Sequence, residues 1–106
     1  MSNKKIVFTE KAPVPIGPYS QAVIVDRFVF ISGQIGIDPK TGQLVNGGIS
    51  EEIRQIFKNI KEILNAVGVD FNSIVKTTVY LTDLSEFSVV NTIYSEYFVK
   101  DFPARA

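Results

Sequence analysis

The chain has 106 residues, 45% hydrophobic and 21% charged, with balanced acidic and basic side chains and no cysteine or histidine. On size scaling this is one small domain that buries roughly 60 to 70 per cent of the surface its unfolded chain exposes. The missing residue types exclude disulfides, thiol nucleophiles, serine–histidine relays and nearly all zinc and iron sites, and zero net charge argues against a nucleic-acid partner.

The opening Met1-Ser2-Asn3-Lys4-Lys5 leads into no apolar signal region, and no run approaches membrane-spanning length, so a soluble cytosolic protein is expected. Ile6-Val7-Phe8 reads as a first strand. Pro13, Pro15, Gly17 and Pro18 then rule out helix or central strand and predict a stiff loop, which Tyr19-Ser20-Gln21 ends. Ala22-Val23-Ile24-Val25 is separated from Phe28 by only Asp26-Arg27, which predicts a tight antiparallel hairpin although the turn lacks glycine. The run Phe28-Val29-Phe30-Ile31 has no polar alternation and reads as a strand buried on both faces. Ser32-Gly33, where that strand ends, offers a hydroxyl and an unscreened backbone N–H to a small polar ligand; Gly33 and Gly36 read equally as residues that let the chain bend.

Asp38-Pro39-Lys40-Thr41-Gly42 has the chemistry of a turn, and Asn46-Gly47-Gly48 extends the irregular segment. Ser50 is expected to cap a helix carrying Glu51 and Glu52 in its first turn, at the positive end of the helix dipole. Ile53, Ile56, Phe57, Ile60, Ile63, Leu64 and Val67 form one apolar stripe, and Gly68 ends the helix in the left-handed conformation. Residues 74–82 read as a strand with Val75, Thr77, Val79 and Leu81 on one face. Asp83 or Ser85 caps a second helix whose stripe is Phe87, Val90, Tyr94, Tyr97 and Phe98, with Asn91 inside it. Pro103 then forces an extended path to Arg105.

The order β, β, β, α, β, α predicts an α+β fold, a mainly antiparallel sheet with two helices on one face. Because the hairpin strands are apolar on both faces, the uncovered face predicts a symmetric homo-oligomer. Three side chains stand out as candidates for a site. Arg105, on the stiff segment after Pro103-Ala104, is either a planar fork for a carboxylate or a solvated arginine. Tyr19 either presents its phenol to a cleft or is half-buried in its loop, and Asn91 satisfies its amide on backbone or on a ligand.

These segments together resemble the Rid or YjgF-like family of reactive-intermediate imine deaminases. The resemblance runs through Ala12-Pro13, Gly17-Pro18-Tyr19-Ser20-Gln21-Ala22, Phe30-Ile31-Ser32-Gly33-Gln34, the 55–68 helix, Val75-Lys76-Thr77-Thr78-Val79-Tyr80-Leu81, Asn91 with Tyr97-Phe98, and Pro103-Ala104-Arg105-Ala106. It implies a chorismate-mutase-like fold assembled as a trimeric barrel with ligand clefts between subunits. It implies hydrolysis of 2-imino acids to 2-keto acids and ammonia, without metal or cofactor. Arg105 would grip the substrate carboxylate and act with Tyr19 of an adjacent subunit, while Ser32, Gly33 and Asn91 line the cleft. A single domain over 1–106 is expected, lacking the C-terminal strand segment in which the family carries a glutamate that positions the water. A non-catalytic regulator that binds keto acids or amino acids in the same cleft is the alternative. RNA cleavage, also attributed to the family, is disfavoured by the zero net charge and the absent histidine base.

Overall fold

The computed structural model describes residues 3–106; Met1 and Ser2, the start of the polar N-terminal stretch, lie outside the described residues. Three antiparallel strands, β1 (Lys5–Val7), β2 (Ala22–Val25) and β3 (Phe28–Ile31), form the first sheet in chain order. Val25 pairs with Phe28 across the two-residue turn, as expected for a tight hairpin. Asp26 takes φ 53° there, so a short polar side chain that tolerates the left-handed region does what glycine usually does.

The sheet has an inner face, Val7, Ala22, Ile24, Val29 and Ile31, which packs on Ile63 and Val67. Its outer face carries Ile6, Val23 and Phe30 side by side in register, with Val25 and Phe28 next to them. Ile6, Phe28 and Phe30 are 58, 64 and 63% exposed. The expectation that β3 is buried on both faces is therefore corrected, because this chain supplies only one layer against it. The turn at 38–42 closes a short hairpin, β4 (Ile37–Asp38) with β5 (Gln43–Leu44), in a stretch too short and polar to read as strands in sequence.

Helix α1 (Ile49–Val67) buries the expected stripe, with Ile53, Phe57, Ile63 and Leu64 in the core. Gly48, at φ 84°, and not Ser50, is the N-cap, and no side chain caps this end. The helix thus starts two residues earlier than a Ser50 cap would set and leaves Ser50 inside the first turn. Gly68 (φ 95°) closes the other end as expected, donating to the Leu64 carbonyl while Val69 donates to the same oxygen. At Gly36 an added Cβ would lie 2.9 Å from the Glu52 Cα, so the chain passes against α1 where only glycine fits.

Beyond a 3-10 turn (Phe71–Ser73), the ladder of the expected 74–82 strand shrinks to β6 (Lys76–Thr77). Ile74, Val79 and Leu81 face the core, whereas Val75, expected among the inward residues, is 78% exposed. The turn delivers Ile74 to the core in its place. Asp83 accepts hydrogen bonds from the Ser85 hydroxyl and backbone N–H and caps a second 3-10 turn (Leu84–Glu86) that runs into α2 (Phe87–Tyr97). Helix α2 buries Val90, Ile93 and Tyr94. The chain reverses at Asp101 (φ 50°) and returns as β7 (Ala104–Arg105), parallel to β6. Instead of one sheet there are three small sheets, two antiparallel and one parallel, the last joined by the α2 crossover that parallel pairing needs.

Two buried amides hold the irregular segments. Gln21 accepts from the Thr9 N–H and donates to the Thr9 and Pro13 carbonyls, pinning the proline-rich loop to β2. Asn59 donates to the Ile35 and Ile37 carbonyls and accepts from Gln55, tying β4 to α1. At the surface Arg54 and Glu96 join α1 to α2, and the Arg54 hydrogen bond holds the Glu96 carboxyl below its ordinary range.

Replacing Asn59 by leucine keeps the volume but leaves two carbonyls without a donor; the urea midpoint should fall by an amount equivalent to about 1–3 kcal/mol with an unchanged m value. Hydrogen bonds from Ser85 lower the Asp83 pKa in the folded chain, so this cap stabilises above the ordinary carboxylate pKa and is lost as pH falls through the lowered value. Asp83→Asn keeps the acceptor without the titration, and its thermal stability should decline less than that of the parent between neutral and acid pH.

Candidate functional site

The five residues singled out in the sequence fall into two groups. The first lies at the end of β3. The Ser32 hydroxyl donates to the Ser20 carbonyl at 2.6 Å and the Ser32 N–H to the Gln21 carbonyl at 3.0 Å, so β3 grips the end of the proline-rich loop. Tyr19 is thereby held one residue from the Ser32 anchor, with its ring half exposed. Gly33 is exposed, and a Cβ there would meet nothing within 4 Å. Steric need at a bend thus accounts for Gly36 and not for Gly33.

The second group is built on α2 and β7. Arg105 pairs in parallel register with Thr77, and the Ala104 and Ala106 N–H groups donate to the Val75 and Thr77 carbonyls. The register puts both side chains on the α2 side. There Thr77 Oγ1 and the Tyr94 hydroxyl share a 2.8 Å hydrogen bond, and the Arg105 guanidinium carbon sits 4.9 Å from the Tyr94 ring centre and 5.2 Å from that of Phe87. Both are cation–π distances. Phe87, expected in the buried stripe of α2, is instead 46% exposed and outside the aromatic core.

Asn91 lies one helical turn from both Phe87 and Tyr94, on the face that Arg105 overlies. It is exposed, which corrects its placement within a buried stripe: Val90 and Ile93 turn inward and take Asn91 out of the core. Among the described residues its amide has no hydrogen-bond partner and Arg105 has no ion pair.

Ser32, Tyr19 and Gly33 are thus brought together, and so are Arg105 and Asn91. No hydrogen bond, ion pair or ring contact among the described residues joins the two groups. A surface depression of about 420 Å³ beside the 38–40 turn, lined by Lys11, Lys40, Lys58 and Lys61 among others, contains none of the five. Sequence reasoning left Thr77 without a role, and only its pairing across the α2 crossover reveals one. Gln21 stood within a quoted motif, but its loop-pinning amide is visible only once Thr9 and Pro13 converge on it.

The sequence model described as Endoribonuclease L-PSP matches residues 9–106. The human 2-iminobutanoate/2-iminopropanoate deaminase is 58% identical over 103 residues, which cover 97% of this chain and 75% of that protein. Among solved structures, a Yersinia pestis protein of the conserved Rid family superposes with a TM-score of 0.93 at 45% identity, over 96% of this chain and 82% of the other. RidA from an Antarctic Psychrobacter gives 0.92 at 45% identity with the same coverage.

The open space at Gly33 makes Gly33→Ala neutral for stability, within about 0.5 kcal/mol by urea unfolding. Ser32→Ala, which orphans the Ser20 carbonyl and frees the Tyr19 loop, should lower stability by about 0.5–1.5 kcal/mol and speed amide exchange at residues 19–21.

Proposed function

The chain belongs to the Endoribonuclease L-PSP family, that of the Rid or YjgF-like proteins, and from that membership we propose that it hydrolyses 2-imino acids of the 2-iminobutanoate/2-iminopropanoate type to 2-keto acids and ammonia. The observation that carries the site is Arg105. Its guanidinium carbon lies at cation–π distance from the Phe87 and Tyr94 rings and no carboxylate among the described residues pairs with it, which leaves its N–H groups to meet a carboxylate in the paired, charge-assisted geometry that arginine favours.

The chemistry asks little of the protein. A protonated imine carbon is already electrophilic; water adds to it, a proton passes from the new hydroxyl to nitrogen, and ammonia leaves as the C=O bond forms. The site must hold the carboxylate, place the water and stabilise charge as it develops. Arg105 supplies the first of these. The Gly33 N–H, the Ser32 segment and the Asn91 amide line the cleft, and the Tyr19 phenol orients the imine or the water.

The cleft is completed by a second copy of the chain. The unpartnered outer face of β1–β3, with Ile6, Phe28 and Phe30 exposed, suits the interior of a homotrimeric barrel of chorismate-mutase-like subunits. Tyr19 then enters from the neighbour, which accounts for the two separate groups within one chain. No described helix is long and apolar enough to cross a membrane, and the reading places the enzyme in the cytoplasm.

The test generates 2-iminobutanoate in situ from threonine with a dehydratase and follows its trapping by semicarbazide. The parent chain should reduce trapping. Arg105→Ala should lose activity roughly 10- to 100-fold, the range expected for one charge-assisted carboxylate contact. Decay unaffected by the parent chain would overturn the deaminase reading. Sedimentation at micromolar concentration should give a trimer, and Phe30→Glu should dissociate it; a monomeric parent would overturn the barrel.

A further inference from the structure

We infer that Phe87 and Tyr94 form a two-ring platform that sets the direction of the Arg105 guanidinium, with Thr77 as its latch, which makes Phe87 a positioning residue for the carboxylate. The inference rests on the reading of Arg105 as the carboxylate anchor and adds what points it.

The platform follows from helix geometry. Phe87 and Tyr94 are seven residues apart on α2, two turns along one face, so their Cα atoms are separated by roughly 10.5 Å along the axis. A guanidinium carbon 5.2 Å from one ring centre and 4.9 Å from the other bridges the two turns, above Asn91. An arginine resting on one ring can still swivel; resting on two rings of a rigid helix, it is held in a preferred plane. Its N–H groups are then turned in a preferred direction, over the helix face that carries Asn91.

The latch closes the arrangement. Tyr94 is nearly buried, and its hydroxyl shares a hydrogen bond with Thr77, the residue paired in register with Arg105. Strand register, ring and cation thus form a closed circuit, and a shift of any member moves the others. Phe87 differs from Tyr94 in having no part in the aromatic core. A merely structural phenylalanine would be buried; this one is 46% exposed and is spent against the arginine.

Phe87→Leu keeps apolar bulk and removes the ring, and Phe87→Tyr restores it. Two readouts separate this proposal from the deaminase reading. In the unliganded protein, the Arg105 side-chain NMR resonances should lose their ring-current displacement in Phe87→Leu and regain it in Phe87→Tyr. By calorimetry or NMR titration, 2-ketobutyrate should bind Phe87→Leu roughly three- to tenfold more weakly than the parent, with Phe87→Tyr close to the parent. Its uncharged methyl ester should not distinguish the variants. In turnover the same change should appear in KM with kcat largely kept. If the parent binds the keto acid and loses affinity in Phe87→Leu but does not accelerate imine decay, the deaminase reading fails and the platform stands. Unchanged Arg105 resonances, or equal keto-acid affinity of parent and Phe87→Leu at equal thermal stability, would overturn the platform.

Discussion

The placement of Arg105 depends on the packing of one ring, Phe57. It stacks on Tyr97 at 4.3 Å between centres and meets Phe71, Tyr94 and Phe98 at about 6 Å, mostly edge to face. Phe57 belongs to α1, Phe71 to the turn before β6, and Tyr94 and Tyr97 to α2. A single side chain therefore fixes the distance and rotation between the two helices. Aromatic pairs of this geometry are worth about 0.5–1.5 kcal/mol each beyond their area. Rotating α2 by one residue would turn about 100° of helix face and carry Tyr94 out of reach of both Thr77 and Arg105.

The other half of the molecule is held differently. Between β1 and α1 the chain is largely loop, rich in proline and glycine, and loops bring polar backbone that burial would orphan. Gln21 and Asn59 solve this with side-chain amides in place of ladders, each serving backbone groups from distant segments. Every buried side-chain nitrogen and oxygen among the described residues is paired. The consequence for the candidate site is that Tyr19, Ser32 and Gly33 ride on a network of specific hydrogen bonds, whereas Arg105 and Asn91 ride on an aromatic core.

That difference explains what was legible in the sequence. The α1 stripe could be read because Ile53, Phe57 and Ile63 repeat at helical spacing, and the β2–β3 hairpin because two apolar runs flank two polar residues. Ser50 reads as a cap from its residue type alone, whereas α1 is capped by Gly48 at φ 84°, a backbone conformation that the sequence does not announce. Residues 74–82 read as one long strand because apolar alternation persists beyond Lys76–Thr77, the residues that find a ladder partner. Asn91 reads as part of a buried stripe because its spacing from Phe87 and Tyr94 matches one, yet it is exposed, on the face that carries the arginine. Of the site, Ser32-Gly33, Tyr19 and Arg105 are weak signals singly, and what collected them was the resemblance running through several separated motifs. The Thr77–Tyr94 latch had no signal at all, since parallel pairing across a helix leaves no mark in local sequence.

The same physical division bears on how a cleft forms. A carboxylate anchor gains from a well-packed support, and under α2 that support is the buried aromatic core around Phe57. A lining that supplies a hydroxyl, an N–H and a phenol gains from backbone that can approach a ligand closely, which only loop and glycine allow. Among the described residues no hydrogen bond, ion pair or ring contact joins Tyr19, Ser32 and Gly33 to Arg105 and Asn91, while the outer face of β1–β3 presents an apolar surface that water covers poorly. Burying that face against another copy brings a second set of both supports close to the first. In the proposed oligomer, association and site completion would then have one cause, the unpartnered face of Ile6, Phe28 and Phe30.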